Sequence, residues 1–296
     1  MNRKPDKALQ WQSKAILLIV APWCAVSVLL QSRWWFQQVP VVAWTTLGIS
    51  GIFALIVWRL RAGTLGAAAT GAAITASLMF STTRFPYQYS WLHGGLPPLL
   101  TVFLLTFVAT KIGKAKKEQL GTGEDRRGRD AAQVAANLGI AALAASLAMI
   151  LGATGIGITP NLGIIAVITA LAEAAADTVS SEIGQVFGGQ PRIVTTLRRV
   201  EPGTDGGVTL AGTLAGVAAA AIVAVVGIWV LAEDWTLCAF CIAGAVMGLF
   251  FDSLLGATAE RRGWLNNDAV NFLSTLSAPI FAILVLIGWF SLFARR

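Results

Sequence analysis

Long apolar runs and short polar segments alternate along the whole chain, near residues 14–32, 40–58, 64–80, 94–110, 131–152, 159–178, 208–232, 236–256 and 269–293. Most of these runs approach the ~20 residues that a helix needs to cross the hydrocarbon core of a bilayer. The pattern predicts an all-α protein, a polytopic transmembrane helical bundle of about nine spans. Spans one and two carry Trp11, Trp23, Trp34, Trp35, Trp44 and Trp58 near their ends and almost no internal polarity. Residues 1–60 therefore read as membrane anchor helices, their indoles set at the interfaces. Span three, GTLGAAATGAAITASLMF, consists largely of small residues, the composition that lets membrane helices approach closely.

Composition sharpens this picture: 56% hydrophobic residues, 12% charged residues and a mean hydropathy of +0.70 exclude a soluble globular chain. The start, MNRKPDKALQWQSK followed by AILLIVAPWCAV, has the basic and apolar regions of a signal peptide. No small-x-small cleavage site follows, so an uncleaved first helix is expected. Lys and Arg are retained on the cytoplasmic side of a membrane. A cytoplasmic N-terminus places 18 of the 22 basic residues there and leaves Arg33, Arg84, Arg295 and Arg296 outside. The net charge of +7 is then orienting charge, suited to anionic lipid or nucleotide, and needs no nucleic-acid partner. The expected setting is a bacterial inner membrane. Cys238 and Cys241 form a C-x-x-C near the outer end of span eight. A metal or redox site would want more ligands than His93, the sole histidine, so these read as buried apolar cysteines.

The candidate chemistry lies in 61–296, the expected catalytic transmembrane domain. Glu173, Asp177 and Ser181 recur every four residues at the predicted inner end of span six, so on a helix they share one face. Carboxylates in a membrane helix are costly enough to point to function. Residues 184–207, with Arg192 among them, end in PGTDGGV, where Gly203, Thr204, Gly206 and Gly207 form a turn able to expose consecutive N–H groups to phosphate oxygens. Alone, such a turn is a weak signal. Lys111 sits beside Gly113 at the membrane edge, and Arg129, Gln133 and Asn137 recur every four residues into span five. That stripe either bonds neighbouring helices or lines a site, where Lys111, Arg129, Gln133, Asn137 and Arg192 would contact phosphate or nucleotide. Span seven opens with Gly212 and Gly216 at a spacing for close packing. Asp252 stands in the apolar run FFDSLL, and Asn267 and Asn271 are one turn apart with Asp268 between them. For Asn266 and Asn267 the plainer reading is a helix cap.

Together these groups would offer Glu173, Asp177 and Asp252 to a metal ion. Mg²⁺ takes one or two carboxylates and fills its shell with water and substrate phosphates. Phosphoryl transfer asks mainly for positioning and charge neutralisation. A phosphate acceptor is already an oxyanion, so no histidine base is required. The same carboxylates suit a cation-coupled transporter of a small or lipidic solute, whose ion sites sit near the bilayer midplane within repeated halves. Their expected place at one water-facing edge, and the lack of a visible inverted repeat, favour the enzyme. A scaffold with its charges paired to one another is the blandest alternative.

The segments TKIGK, GRDAAQVAAN, ADTVSSEIG, PRIVTTLRRVEPGTDGGVTLAGTLAG, FDSLLGAT and LNNDAVNFL occur in this order over roughly residues 60–290. They resemble a membrane family first grouped as a domain of unknown function, which includes the plant phytyl-phosphate kinase of vitamin E salvage and an animal transmembrane relative. The resemblance implies an enzyme that converts an isoprenyl (phytyl, geranylgeranyl or farnesyl) monophosphate to the diphosphate with CTP or another nucleoside triphosphate and Mg²⁺. It implies catalytic roles for Asp177, Ser181, Glu182 and Asp252, and phosphate or nucleotide contacts from the glycine turn, Asn267, Asp268 and Asn271. The isoprenoid tail is expected between glycine- and alanine-rich helices, in contact with membrane lipid. Where many relatives have an aromatic after the Asp-Thr pair this chain has Val179.

Overall fold

The computed structural model describes residues 9–87, 94–122, 128–154, 160–232 and 234–293. His93, Arg126, Arg127, Arg295 and Arg296 lie outside these described residues. Each apolar run becomes a helix: α1 (Gln10–Gln38), α2 (Pro40–Arg59), α3 (Leu65–Thr82), α4 (Leu96–Lys111), α6 (Ala131–Ala153), α7 (Pro160–Phe187), α8 (Leu210–Leu231), α9 (Thr236–Leu255) and α10 (Asn267–Phe293). A six-residue helix, α5 (Lys114–Gln119), forms in the charged segment after α4. Eight of the described helices are long and apolar enough to span a membrane. The exception among the expected nine is α4, whose 16 residues fall short of a full crossing.

The long helices run alternately up and down, which gathers one set of termini at one end of the bundle. There the start of α1 meets the start of α10: Gln12 Nε2 donates to the Trp264 carbonyl at 2.8 Å, and Asn266 Nδ2 donates to the Leu9 carbonyl at 2.9 Å. At the opposite end Arg84 donates to the Leu231 carbonyl at 2.8 Å. α1 is bound into the bundle along its length, with Val20 and Cys24 fully buried and packed against α6. Cys238 and Cys241 are free thiols, Cys241 fully buried, as the apolar reading expects.

The central helix is α7, which packs against α4, α6, α8, α9 and α10. It is buried on every side from Val167 to Ala176, as a helix enclosed all round must be. Small residues let its neighbours come close. A Cβ at Gly212 would lie 2.5 Å from the Ser180 carbonyl oxygen, and one at Gly216 would lie 2.8 Å from that of Ala176. On α9, a Cβ at Gly248 would lie 2.7 Å from both Glu173 Cγ and Ala278 Cβ. Without a hydrophobic drive between helices in lipid, such backbone proximity is the main source of packing energy. It also sets the distance between the polar groups of α7 and α9.

Between α7 and α8 the chain makes a two-stranded antiparallel ribbon, β1 (Arg192–Ile193) with β2 (Gly207–Val208). This ribbon folds the polar connection back across the end of the bundle. α9 continues past Leu255 into a π-helical turn, Gly256–Glu260, in which the Arg261 N–H reaches the Gly256 carbonyl at 3.3 Å. Such turns shift the face that follows them and recur at functional sites.

Candidate active site

A polar cavity of about 310 Å³ opens at the end of the bundle where α7, α9, the glycine turn and the start of α10 meet. α7 contributes Asp177, Ser181 and Glu182; α9 and its π turn contribute Asp252, Ser253, Gly256 and Glu260; α10 contributes Asn267 and Asn271. The spacing of Asp177 and Ser181 puts both on the inner face, as the four-residue interval requires. Gly203, Thr204, Gly206 and Gly207 form the remaining wall.

The glycine turn is held in place by two residues that must be glycine. Gly203 has φ +83°, and a Cβ there would stand 2.4 Å from Thr122 Cγ2. Gly206 has φ +71°, and a Cβ there would stand 2.3 Å from the backbone N of Ala257 in the π turn. The turn therefore rests on the end of α9, one helical turn beyond Asp252. Two of its amides are already used: Thr204 N–H donates to the Glu201 carbonyl at 3.2 Å and Gly207 N–H to the Thr204 carbonyl at 3.0 Å. The cradle expected from Gly203, Thr204, Gly206 and Gly207 is thus narrower, because the Thr204 and Gly207 N–H groups are spent within the turn.

Asp177 and Asp252 face the cavity from opposite helices. Asp252 Oδ2 is enclosed and has no hydrogen-bond partner among the described residues. Glu173 is placed differently from the expectation. It is 1% exposed, lies outside the cavity lining one turn deeper in α7, and accepts a hydrogen bond from Thr275 Oγ1 at 2.7 Å on Oε2. Its other oxygen, Oε1, has no partner. Among the described residues no three acidic, histidine or cysteine side chains converge as a ready-made metal cage. Two carboxylates, one with an unpartnered oxygen, in a wet cavity do fit Mg²⁺, which draws its other ligands from water and phosphate.

The basic side chains divide more sharply. The α2–α3 link holds the Arg129 backbone, with Thr64 N–H donating to its carbonyl at 2.9 Å and its own N–H donating to the Ala62 carbonyl at 3.1 Å. The guanidinium is thereby directed between Thr178, which it reaches at 3.5 Å, and the charge of Asp177. Lys111, by contrast, is exposed and sits over the Phe107 ring at 5.2 Å, away from the cavity. Arg192 is exposed and donates to the Leu197 carbonyl within its own loop. Gln133 closes a capping box with Asp130 at the start of α6, both bonds 2.9 Å, and Asp268 accepts from Ser13 on α1. Those four, expected as phosphate or nucleotide contacts, are spent on structure or on the surface.

Asn137 takes a middle position: its Oδ1 accepts from Asn271 Nδ2 at 3.4 Å, so it backs the cavity wall through Asn271. The cap expected near Asn266 and Asn267 is made by Asn266, whose Oδ1 accepts the Ala269 N–H, while Asn267 is left at the cavity.

The basic residue that sequence reasoning passed over is Lys117. It is 3% exposed and donates to Glu182 Oε2 at 2.6 Å and to the Thr110 carbonyl at 2.7 Å. Gly113 makes this possible: its φ of +63° turns α5 back onto α7, where a Cβ would stand 2.5 Å from Val186. In the run KAKKEQ nothing distinguishes Lys117 from its solvated neighbours. The signal was the acidic motif itself, since a half-buried Glu182 gains from a nearby cation.

Comparison with known proteins places the chain among integral membrane proteins. The chain is 37% identical over 187 residues to the Uncharacterized membrane protein MJ0933 of Methanocaldococcus jannaschii, covering 63% of this chain and 74% of that one. It is 29% identical over 212 residues to the Uncharacterized membrane protein sll0875 of Synechocystis, covering 68% and 81%. To Protein VTE6, chloroplastic, of Arabidopsis thaliana it is 28% identical over 234 residues, covering 78% and 69%. No solved structure matches the chain. The match to the family described as Integral membrane protein DUF92 runs over residues 48–279, from the middle of α2 into α10 and across every element of the cavity, and the chain belongs to that family.

Proposed function

We propose that the polar cavity is the site of a membrane kinase that converts an isoprenyl monophosphate to the diphosphate at the expense of a nucleoside triphosphate, CTP by the family resemblance. The observation that carries this reading is the meeting of Asp177 and Asp252, from separate crossings, opposite the glycine turn in one cavity. In the reaction an oxygen of the prenyl phosphate attacks the terminal phosphorus of the nucleotide; one P–O bond forms, the P–O bond to the nucleoside diphosphate breaks, and that diphosphate leaves with the electron pair. The attacking oxygen is already anionic, so no side chain has to remove a proton.

Asp177 and Asp252 would hold Mg²⁺, which would neutralise charge on the nucleotide phosphates. Arg129, fixed by its backbone between Thr178 and Asp177, would hold the acceptor phosphate by charge-assisted hydrogen bonds. Asn267, Asn271 and the Ser181 hydroxyl would orient the phosphates, with Gly203 and Gly206 allowing close backbone approach. Lys117 holds Glu182 in place on the α7 rim through their 2.6 Å ion pair. The cavity would face the cytoplasm, the side to which the basic loops assign this end of the bundle.

One observation favours the alternative, a cation-coupled transporter: Glu173 is enclosed in the bundle with one oxygen unpartnered. The test offers purified protein in detergent a panel of prenyl monophosphates with each nucleoside triphosphate and Mg²⁺. Diphosphate formation supports the kinase. Cation-driven solute accumulation in proteoliposomes without nucleotide turnover would replace it with the transporter.

A further inference from the structure

A second, apolar crevice lies directly behind the polar cavity, bounded by α2, α3, α4 and α6. It is narrow, about 80 Å³, and lined by Phe53, Ala67, Ala68, Gly71, Val102 and Phe103. Two residues of its floor touch the polar cavity. Arg129 and Asn137 line the crevice, and each is hydrogen-bonded to a residue of the polar cavity, Arg129 to Thr178 and Asn137 to Asn271. Above that floor the lining is almost wholly apolar.

The lateral wall of the crevice is thin. α2 packs on α1 and α3, and α4 on α7 and α8, but α2 and α4 scarcely approach each other. The gap between them is bridged by one aromatic contact, Phe53 against Phe103, edge to face with ring centroids 5.1 Å apart. The short α4 and the small residues of α3 leave the space that larger side chains would fill.

We infer that this crevice seats the first isoprene units of the acceptor, which enters sideways from the bilayer between α2 and α4 past the Phe53–Phe103 pair and brings its phosphate to Arg129. The inference rests on the kinase reading for the identity of the acceptor. A slot this narrow holds one extended apolar chain and releases its far end to lipid. The protein therefore discriminates strongly against a missing first unit and weakly among long chains.

The test uses Gly71→Leu. A Cβ at Gly71 meets only Val134 Cγ1, at 4.0 Å, so the longer side chain extends into the crevice without a backbone clash. The expected result is a rise of about tenfold or more in KM for geranylgeranyl monophosphate, the cost of displacing a well-seated apolar group. The KM for nucleotide should change less than twofold. A second measurement needs no turnover: wild-type protein in lipid nanodiscs is labelled with a prenyl monophosphate bearing a diazirine near its phosphate end, and the labelled peptides are mapped. Label on α2, α3, α4 or α6 supports the crevice even if no nucleotide is consumed, in which case the kinase reading fails alone. Turnover with an unchanged KM in Gly71→Leu, or label confined to other helices, overturns the crevice and leaves the kinase reading standing.

Discussion

The polar cavity and the apolar crevice meet through Arg129 and Asn137 yet are built by opposite means. The cavity exists because helices come together: Gly216 and Gly248 draw α8 and α9 onto α7, and Gly206 lets the loop rest on Ala257. Its walls are polar groups whose partners are partly withheld, notably Asp252 Oδ2. The crevice exists because helices stay apart, α2 from α4, with small α3 residues between them. Close packing in a membrane thus serves to place charge, and loose packing serves to admit lipid. Arg129 stands where the two meet.

If that division is correct, damage to the two regions should be separable. The largest effect is expected from the carboxylates: Asp177→Asn or Asp252→Asn should lower diphosphate formation by about 10³-fold, the scale seen when a group facing developing charge is removed. Monodispersity and thermal stability should be kept, because neither carboxylate holds a structural partner comparable to that of Glu182. Full activity in both variants would remove the cavity from the chemistry.

Next comes Lys117→Met, which leaves Glu182 half-buried without its cation and should cost about 3 kcal/mol of stability, seen as a lower Tm in detergent. The double variant with Glu182→Leu should recover most of that loss, since a matched apolar pair replaces a buried ion pair at little cost. No recovery would mean that Lys117 acts through the α4 carbonyls it also binds.

Gly206→Ala should lower stability by about 2 kcal/mol through its left-handed backbone and its contact with Ala257, and should raise the KM for nucleotide more than that for the prenyl phosphate. A larger rise for the prenyl phosphate would place the turn nearer the acceptor than the nucleotide. Asp130→Ala should cost about 1 kcal/mol, the worth of an N-cap, with little change in kinetics, because the capping box of α6 is structural. Least of all, Arg192→Ala should alter kcat by less than about twofold, as expected for an exposed side chain bonded only within its own loop.

The sequence displays the membrane bundle almost completely, because each span announces itself by twenty-odd consecutive apolar residues. It also marks the two carboxylates, since an Asp within FFDSLL has no cheap structural use. What it could not show is how polar residues divide between chemistry and support. GRDAAQVAAN contains three polar residues of one stripe: the structure turns Arg129 to the site, uses Gln133 with the neighbouring Asp130 as a cap, and lends Asn137 to Asn271. Spacing is the same in each case; the partner decides. Glu173 shows a similar limit, for a four-residue interval fixes its face but not its depth, and the extra turn carries it out of the cavity to Thr275. Lys117 became visible only once Gly113 had folded α5 back onto α7.

The central claim is that Asp177 and Asp252 serve one site, and divalent-ion binding tests it most directly. Mn²⁺ in place of Mg²⁺, followed by electron paramagnetic resonance on purified protein with a non-hydrolysable CTP analogue, should reveal one bound ion per chain. We predict that Asp177→Asn and Asp252→Asn each weaken that binding by about tenfold or more, the loss of a charged ligand. Unchanged Mn²⁺ binding in both variants, with the nucleotide analogue still bound, would contradict it.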